Sequence, residues 1–340
     1  MKQKTMCNQP KIWVLAGQSN MAGCGALTGA PAPDERVMCL TGEGWVQAAE
    51  PLHGTGVGPG LAFGVALAEA TGDQIGLIPC AMGGTSLAQW SDRDPGTLYD
   101  RLLSNSHLAG SVLAGVLWYQ GESDSRSRDS AASYGIRLEH WIAGLRADLQ
   151  CPDLPVLLVQ LGRYALPVSE EEACGWNIVR ETLRVLPTRI PHTAVTSAVD
   201  LGLADIIHLD TPSLVRVGQR LARLACGLPA PDLNRLEQVP VDRGLGCVRV
   251  VCRGVTSHWP VRQHISGFTV HLPDGSPHPT VFIINAAPNP IDPSNIHILL
   301  NQPPDATVRI GYGLGSNPNC NAVDDADMPM PAFAPQEILS

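Results

Sequence analysis

The chain reads as an α/β protein with a central parallel sheet followed by a smaller all-β region, and three features of the sequence predict it. Over the first 228 residues, short apolar runs alternate with longer stretches of helical period. At 227–232 (Gly-Leu-Pro-Ala-Pro-Asp) two prolines interrupt that rhythm, and beyond them only short alternating or β-branched runs remain. The apolar runs at 11–16, 74–79, 115–119, 154–160 and 193–199 suit a parallel sheet, whose strands are buried on both faces. Between them, 60–70, 133–149, 176–186 and 213–226 repeat apolar residues every three or four positions, as the crossover helices of β-α-β units do. After the break, 248–252, 267–271, 280–284 and 307–312 supply strands without helices. Residues 1–228 are therefore expected to form one domain and 229–340 a second, a small β-sandwich.

Length and composition agree with two folded parts. At about 150 residues per domain, 340 residues suggest roughly two, and 44% hydrophobic against 16% charged residues excludes disorder across the chain. The formal net charge is −9 with no basic block, which argues against a nucleic-acid partner. The first apolar run, 12–16, is too short for a signal sequence, and no run approaches the ~20 residues of a spanning helix. A cytoplasmic protein without a membrane partner is the expectation, with secretion open if a leader has been removed. The ten cysteines are scattered without a C-x-x-C pair, as reduced thiols would be, and neither a metal nor a cofactor is expected. Oligomeric state is not legible.

The residues with chemical potential fall at the predicted strand ends, where open α/β sheets bind ligands. Gly-Gln-Ser-Asn-Met-Ala-Gly (17–23) follows the first strand, so Ser19 sits either on a tight turn with its hydroxyl exposed or as the cap of a helix. Far along the chain, Asp205-Ile-Ile-His208 supplies a base for such a serine and an acid to orient the base. The bland alternative is a surface loop in which Asp205 or Asp210 caps the helix near Pro212. His53 and His107, in polar loops, and five histidines of the β region compete with His208. Gly83-Gly84 and Gln120-Gly121-Glu122 follow two further strands. Paired glycines can offer unobstructed N–H groups to an oxyanion and Gln120 a side-chain amide, although glycine-containing turns are common.

Together the 17–23 block, Gly-Val-Gly-Pro-Gly (56–60), Pro-Cys-Ala-Met-Gly-Gly-Thr-Ser (79–86), Trp-Tyr-Gln-Gly-Glu-Ser-Asp (118–124) and Asp-Ile-Ile-His-Leu (205–209) resemble the carbohydrate acetylesterases of the SGNH-hydrolase superfamily. The sialate O-acetylesterase and plant acetylxylan-esterase-like families are the nearest in pattern, and the likeness spans about residues 11–226. It implies an SGNH-type three-layer sandwich and hydrolysis of carbohydrate O-acetyl groups through an acetyl-enzyme. Ser19 matches the nucleophile, His208 the base and Asp205 the acid, with Asp200 a rival for the last role. The Ser19 amide, Gly83 and Gln120 match the oxyanion hole, Gln120 standing where the superfamily often has Asn. Gln18, Gly84, Glu122 and Trp90 are candidates for substrate contact or support, as are Arg163 and Tyr164. Loops 28–51 and 92–106 would wall the pocket. The 304–333 segment resembles the C-terminal β region of sialate O-acetylesterases. The implied partner is a small-molecule or oligosaccharide acetyl ester. An acyltransferase, a short-chain carboxylesterase or a non-catalytic carbohydrate-binding protein are the alternatives.

Overall fold

The computed structural model describes residues 9–54, 56–110, 112–241, 244–255, 258–260 and 264–339. Its first sheet contains β1 (Lys11–Gly17), β2 (Val37–Thr41), β3 (Gly44–Gln47), β4 (Ile75–Pro79), β5 (Leu113–Tyr119), β6 (Val156–Gln160) and β7 (Thr193–Ser197). The order is β3-β2-β4-β1-β5-β6-β7, and every neighbouring pair is parallel except the β2–β3 hairpin. The central strands β1, β4, β5 and β6 are apolar and almost wholly buried, as a sheet covered on both faces requires. The helices are α1 (Ser19–Ala22), α2 (Pro59–Thr71), α3 (Leu87–Ser91), α4 (Leu98–Leu108), α5 (Arg128–Asp148), α6 (Glu170–Val185) and α7 (Thr211–Ala225). Helices α2 and α7 pack together, as do α5 and α6, and the two pairs complete the three layers. Gly218 permits the first pairing, because a methyl group there would lie 2.4 Å from the Pro59 carbonyl oxygen.

Two segments differ from expectation. The 28–51 stretch contains the β2–β3 hairpin, and 92–106 is largely α4, so neither is a plain loop and His107 lies in the last helical turn. Both elements were hidden by polarity. Strand β3 has no buried residue, and α4 buries only Leu98, Tyr99, Leu102 and Ser106, its start fixed by Thr97 accepting the Asp100 N–H.

Beyond α7 come β8 (Asp232–Val239), β9 (Gly246–Arg253), β10 (Phe268–His271), β11 (Ile283–Pro288), β12 (Asn295–Leu300), β13 (Arg309–Tyr312) and β14 (Phe333–Leu339). They join in one sheet, β10-β13-β14-β8-β9-β12-β11, in place of two facing ones, and its edge strands β10 and β11 touch. The sheet therefore rolls around Trp259, Val248, Val250, Ile296, Ile298 and Ile310.

A polar seam joins this rolled sheet to the first. The buried Arg180 of α6 donates to five backbone carbonyls, Leu161 and Gly162 after β6 and Gly313, Gly315 and Ser316 after β13. Gln160, at the end of β6, both donates to and accepts from the Ala332 backbone at 2.8 Å. Asp200 and Asp327 share the buried Arg220. Replacing Arg180 with Met strands several buried carbonyls, each costing about 1–3 kcal/mol, so a loss of roughly 3 kcal/mol or more is expected by denaturant unfolding. An unchanged midpoint would show the seam to be energetically idle.

Candidate active site

The site begins where β1 ends. Gly17 has φ +132°, and a methyl group there would lie 2.1 Å from the Tyr119 carbonyl oxygen, so the turn out of the sheet accepts only glycine. The chain then places Ser19 at the first residue of α1, with Gln18 N–H tied to the Tyr119 carbonyl at 2.9 Å. The Ser19 Oγ lies 3.0 Å from His208 Nε2, and His208 Nδ1 lies 2.7 Å from Asp205 Oδ2. The other Asp205 oxygen accepts the backbone N–H groups of Ile207 and His208, each at 2.8 Å. Asp210, not Asp205, caps α7 by accepting the Ser213 N–H at 2.9 Å, which leaves Asp205 for the ring. The rival Asp200 faces Arg220 and Arg216 in the seam.

The local field fits these partners. Although burial opposes it, the His208 ring and the two backbone donors hold the Asp205 carboxyl at about 2. The neighbouring Cys24 side chain and then Asp205 push His208 up to about 9, again against burial. This stabilises the imidazolium that forms when the ring takes a proton.

The turn after β4 runs beside the serine. Cys80 N–H bonds the Leu15 carbonyl at 2.9 Å, Met82 N–H the Gly17 carbonyl at 3.0 Å, and Thr85 Oγ1 donates to the Met82 carbonyl at 2.7 Å. This fixed turn brings Gly83 beside Ser19, where a methyl group on Gly83 would lie 3.7 Å from the Ser19 Cβ. Among the described residues, neither the Ser19 nor the Gly83 N–H has an acceptor. Gly84, at φ +72° with nothing within 4 Å of a methyl group, lets the turn reverse in the open.

The remaining candidates serve the scaffold. Gln120 is fully buried, and its amide nitrogen lies 2.7 Å from Asp124 Oδ2, 3.1 Å from the Thr85 carbonyl and 3.3 Å from Gln18 Oε1, three acceptors for its hydrogens. An amide nitrogen carries only two hydrogens, so the expected third oxyanion donor is instead a brace under the 85 turn. Gln18 is likewise turned inward, accepting from Gln120 and the Ser123 N–H. Glu122 does not orient Gln120; it accepts from Asn20 Nδ2 at 2.9 Å, and burial raises its carboxyl above the usual range. Trp90 is core, stacked edge-on against Trp118 and Trp141 and donating to Thr85. Tyr164 stacks on Trp176, and Arg163 is committed to the Leu201 carbonyl and Asn317.

One contributor was missed in the sequence. Asn20, beside the serine, accepts the Leu209 N–H at 3.0 Å while donating to Glu122, so it ties α1 to the loop carrying His208. Its place within the 17–23 block was the available signal.

A serine, a histidine and an aspartate in hydrogen-bond series at the carboxyl edge of a three-layer α/β sandwich mark a carboxylic ester hydrolase. Residues 9–226 match the model of the family described as carbohydrate esterase, sialic acid-specific acetylesterase, and the chain belongs to that family. A protein of Arabidopsis thaliana named "Probable carbohydrate esterase" is 33% identical over 246 residues, covering 63% of this chain and 89% of that one. The crystal structure of an Arabidopsis thaliana protein, 33% identical, aligns with a TM-score of 0.57 over 64% of this chain and 98% of its own. A carbohydrate acetylesterase from Xanthomonas citri, 24% identical, shares the fold over 95% of this chain and 80% of its own, with a TM-score of 0.73.

Proposed function

We propose that this carboxylic ester hydrolase removes O-acetyl groups from carbohydrates through an acetyl-serine intermediate. The observation that carries the reading is the chain of contacts Ser19 Oγ to His208 Nε2 at 3.0 Å and His208 Nδ1 to Asp205 at 2.7 Å. Ser19 Oγ attacks the acetyl carbonyl while His208 Nε2 takes its proton. The oxyanion is received by the Ser19 and Gly83 N–H groups. As the tetrahedral species collapses, the C–O bond to the sugar breaks and His208 returns the proton to the departing sugar oxygen. A water molecule then attacks the acetyl-serine carbonyl, again giving a proton to His208. That proton passes to Ser19 Oγ as acetate leaves. The family's description supports an acetylated sialic acid as substrate and the plant relative's name a carbohydrate ester, and acetylated xylo-oligosaccharides are the other substrate type proposed.

The test is acetate release from 4-nitrophenyl acetate, acetylated xylo-oligosaccharides and 9-O-acetylated sialic acid, by wild type and Ser19→Ala. Turnover that disappears in the variant supports the reading, and the substrate ranking chooses the sugar. Folded wild type without turnover on any of them would favour a transferase or a binding protein.

The rate is also expected to depend on pH through His208. The base must be unprotonated, so kcat/KM rises with pH and levels off above the His208 value of about 9. Cys24→Ala removes the largest influence holding that value up, and the midpoint of the profile should move to lower pH. An unmoved midpoint would show that Cys24 does not act on the ring.

A further inference from the structure

Two turns must keep their relative place for this site to work: the Ser19 turn after β1 and the Gly83 turn after β4. A third stretch, residues 50–54 and 56–58, lies against both. Glu50 organises it by accepting the N–H groups of Leu52 at 3.0 Å and Gly58 at 3.3 Å. Val57 exchanges a pair of backbone hydrogen bonds with Gly25, at 2.9 and 3.1 Å, which fastens the segment to the chain leaving α1. The fit is close, because a methyl group on Gly23 would sit 2.3 Å from the Gly56 carbonyl oxygen.

From this segment His53 reaches both turns. Its Nε2 accepts the Ala81 N–H at 3.2 Å, two residues before Gly83. The imidazole also hydrogen-bonds the backbone of Ala22, the last residue of the helix that Ser19 begins. Since Nε2 is an acceptor, the ring proton resides on Nδ1, which makes it the donor to the Ala22 carbonyl.

We propose that His53 is a positioning residue that couples the Ser19 turn to the Gly83 turn and so sets the distance between nucleophile and oxyanion donor. The proposal rests on the serine-esterase reading. Both bonds require the neutral ring, and burial pushes His53 down to about 4, which keeps it neutral across the working range of an esterase. A glutamine has the same pair of functions, a carbonyl to accept and an amide to donate, whereas leucine has neither.

The test compares His53→Leu and His53→Gln with wild type, using 4-nitrophenyl acetate turnover and the rate of Ser19 labelling by a fluorophosphonate. Small displacements of catalytic groups cost up to about a hundredfold. His53→Leu is therefore expected to lose roughly tenfold to a hundredfold in kcat and in labelling rate, with KM changed by less than about threefold. His53→Gln should recover most of both. Wild-type kcat and labelling in His53→Leu would overturn the coupling while leaving Ser19 as nucleophile. Equal losses in both variants, tracking a fall in melting temperature, would overturn it in favour of a purely structural role. Wild type that takes no label would remove the serine-esterase reading and this proposal with it.

Discussion

Ser19→Ala is expected to lower kcat on acetyl esters by about a millionfold, the scale seen when the nucleophile of a serine triad is deleted. Without Oγ no acyl-enzyme forms, and the residual rate is that of water attacking an ester polarised by the Ser19 and Gly83 N–H groups. Folding should be indifferent to the change, because among the described residues the hydroxyl bonds only His208. The informative failure is a variant that keeps more than about 1% of activity. The neighbouring nucleophile would then be Cys24, whose side chain already interacts with His208. Ser19→Ala combined with Cys24→Ala, read by acetate release and by mass spectrometry of the fluorophosphonate adduct, separates that case from contamination.

Asp205→Asn is the second large effect, a loss of about 10⁴-fold in kcat. The substituted side chain can keep its carbonyl oxygen on the Ile207 and His208 N–H groups, so the loop stays in place. Its NH2 then faces His208 Nδ1 and demands an acceptor there. The proton moves to Nε2, the nitrogen that must receive the Ser19 hydrogen, and the base is lost. Asp200→Asn gives the contrast. That carboxylate is buried against Arg220, and breaking such a pair costs about 3–5 kcal/mol. Its expected phenotype is a lowered melting temperature with kcat per folded molecule preserved. Exchanged phenotypes for the two aspartates would assign the acid to Asp200.

The sequence carried the parallel sheet and the Ser19, Asp205 and His208 positions because each is announced locally. Buried strands are runs of apolar residues, and the chemistry sits just past their ends. What stayed hidden depends on distant partners. The β2–β3 hairpin and α4 bury too little to leave a strong periodic signal. Gln120 sits in a block typical of oxyanion donors, and only the positions of Asp124, Thr85 and Gln18 reveal that its hydrogens are already used. His53 read as one histidine in a polar loop, since its partners lie at Ala22 and Ala81, both backbone groups. Backbone partners leave no trace in side-chain spacing. The opposite holds for Asp205, whose three-residue separation from His208 already placed it on the same loop.

The seam between the two sheets also extends to the loop that presents Asp205 and His208. The turn after β6 is held by Arg180 to carbonyls at 313–316, and the Tyr164 N–H bonds the Ser316 carbonyl at 2.8 Å. The next residue, Ala165, donates to the Ile206 carbonyl at 2.8 Å, within the loop that presents Asp205 and His208. Two consecutive backbone bonds thus lead from the second sheet to the loop that carries Asp205 and His208, so the far region of the chain is a splint for that loop as well as a second core.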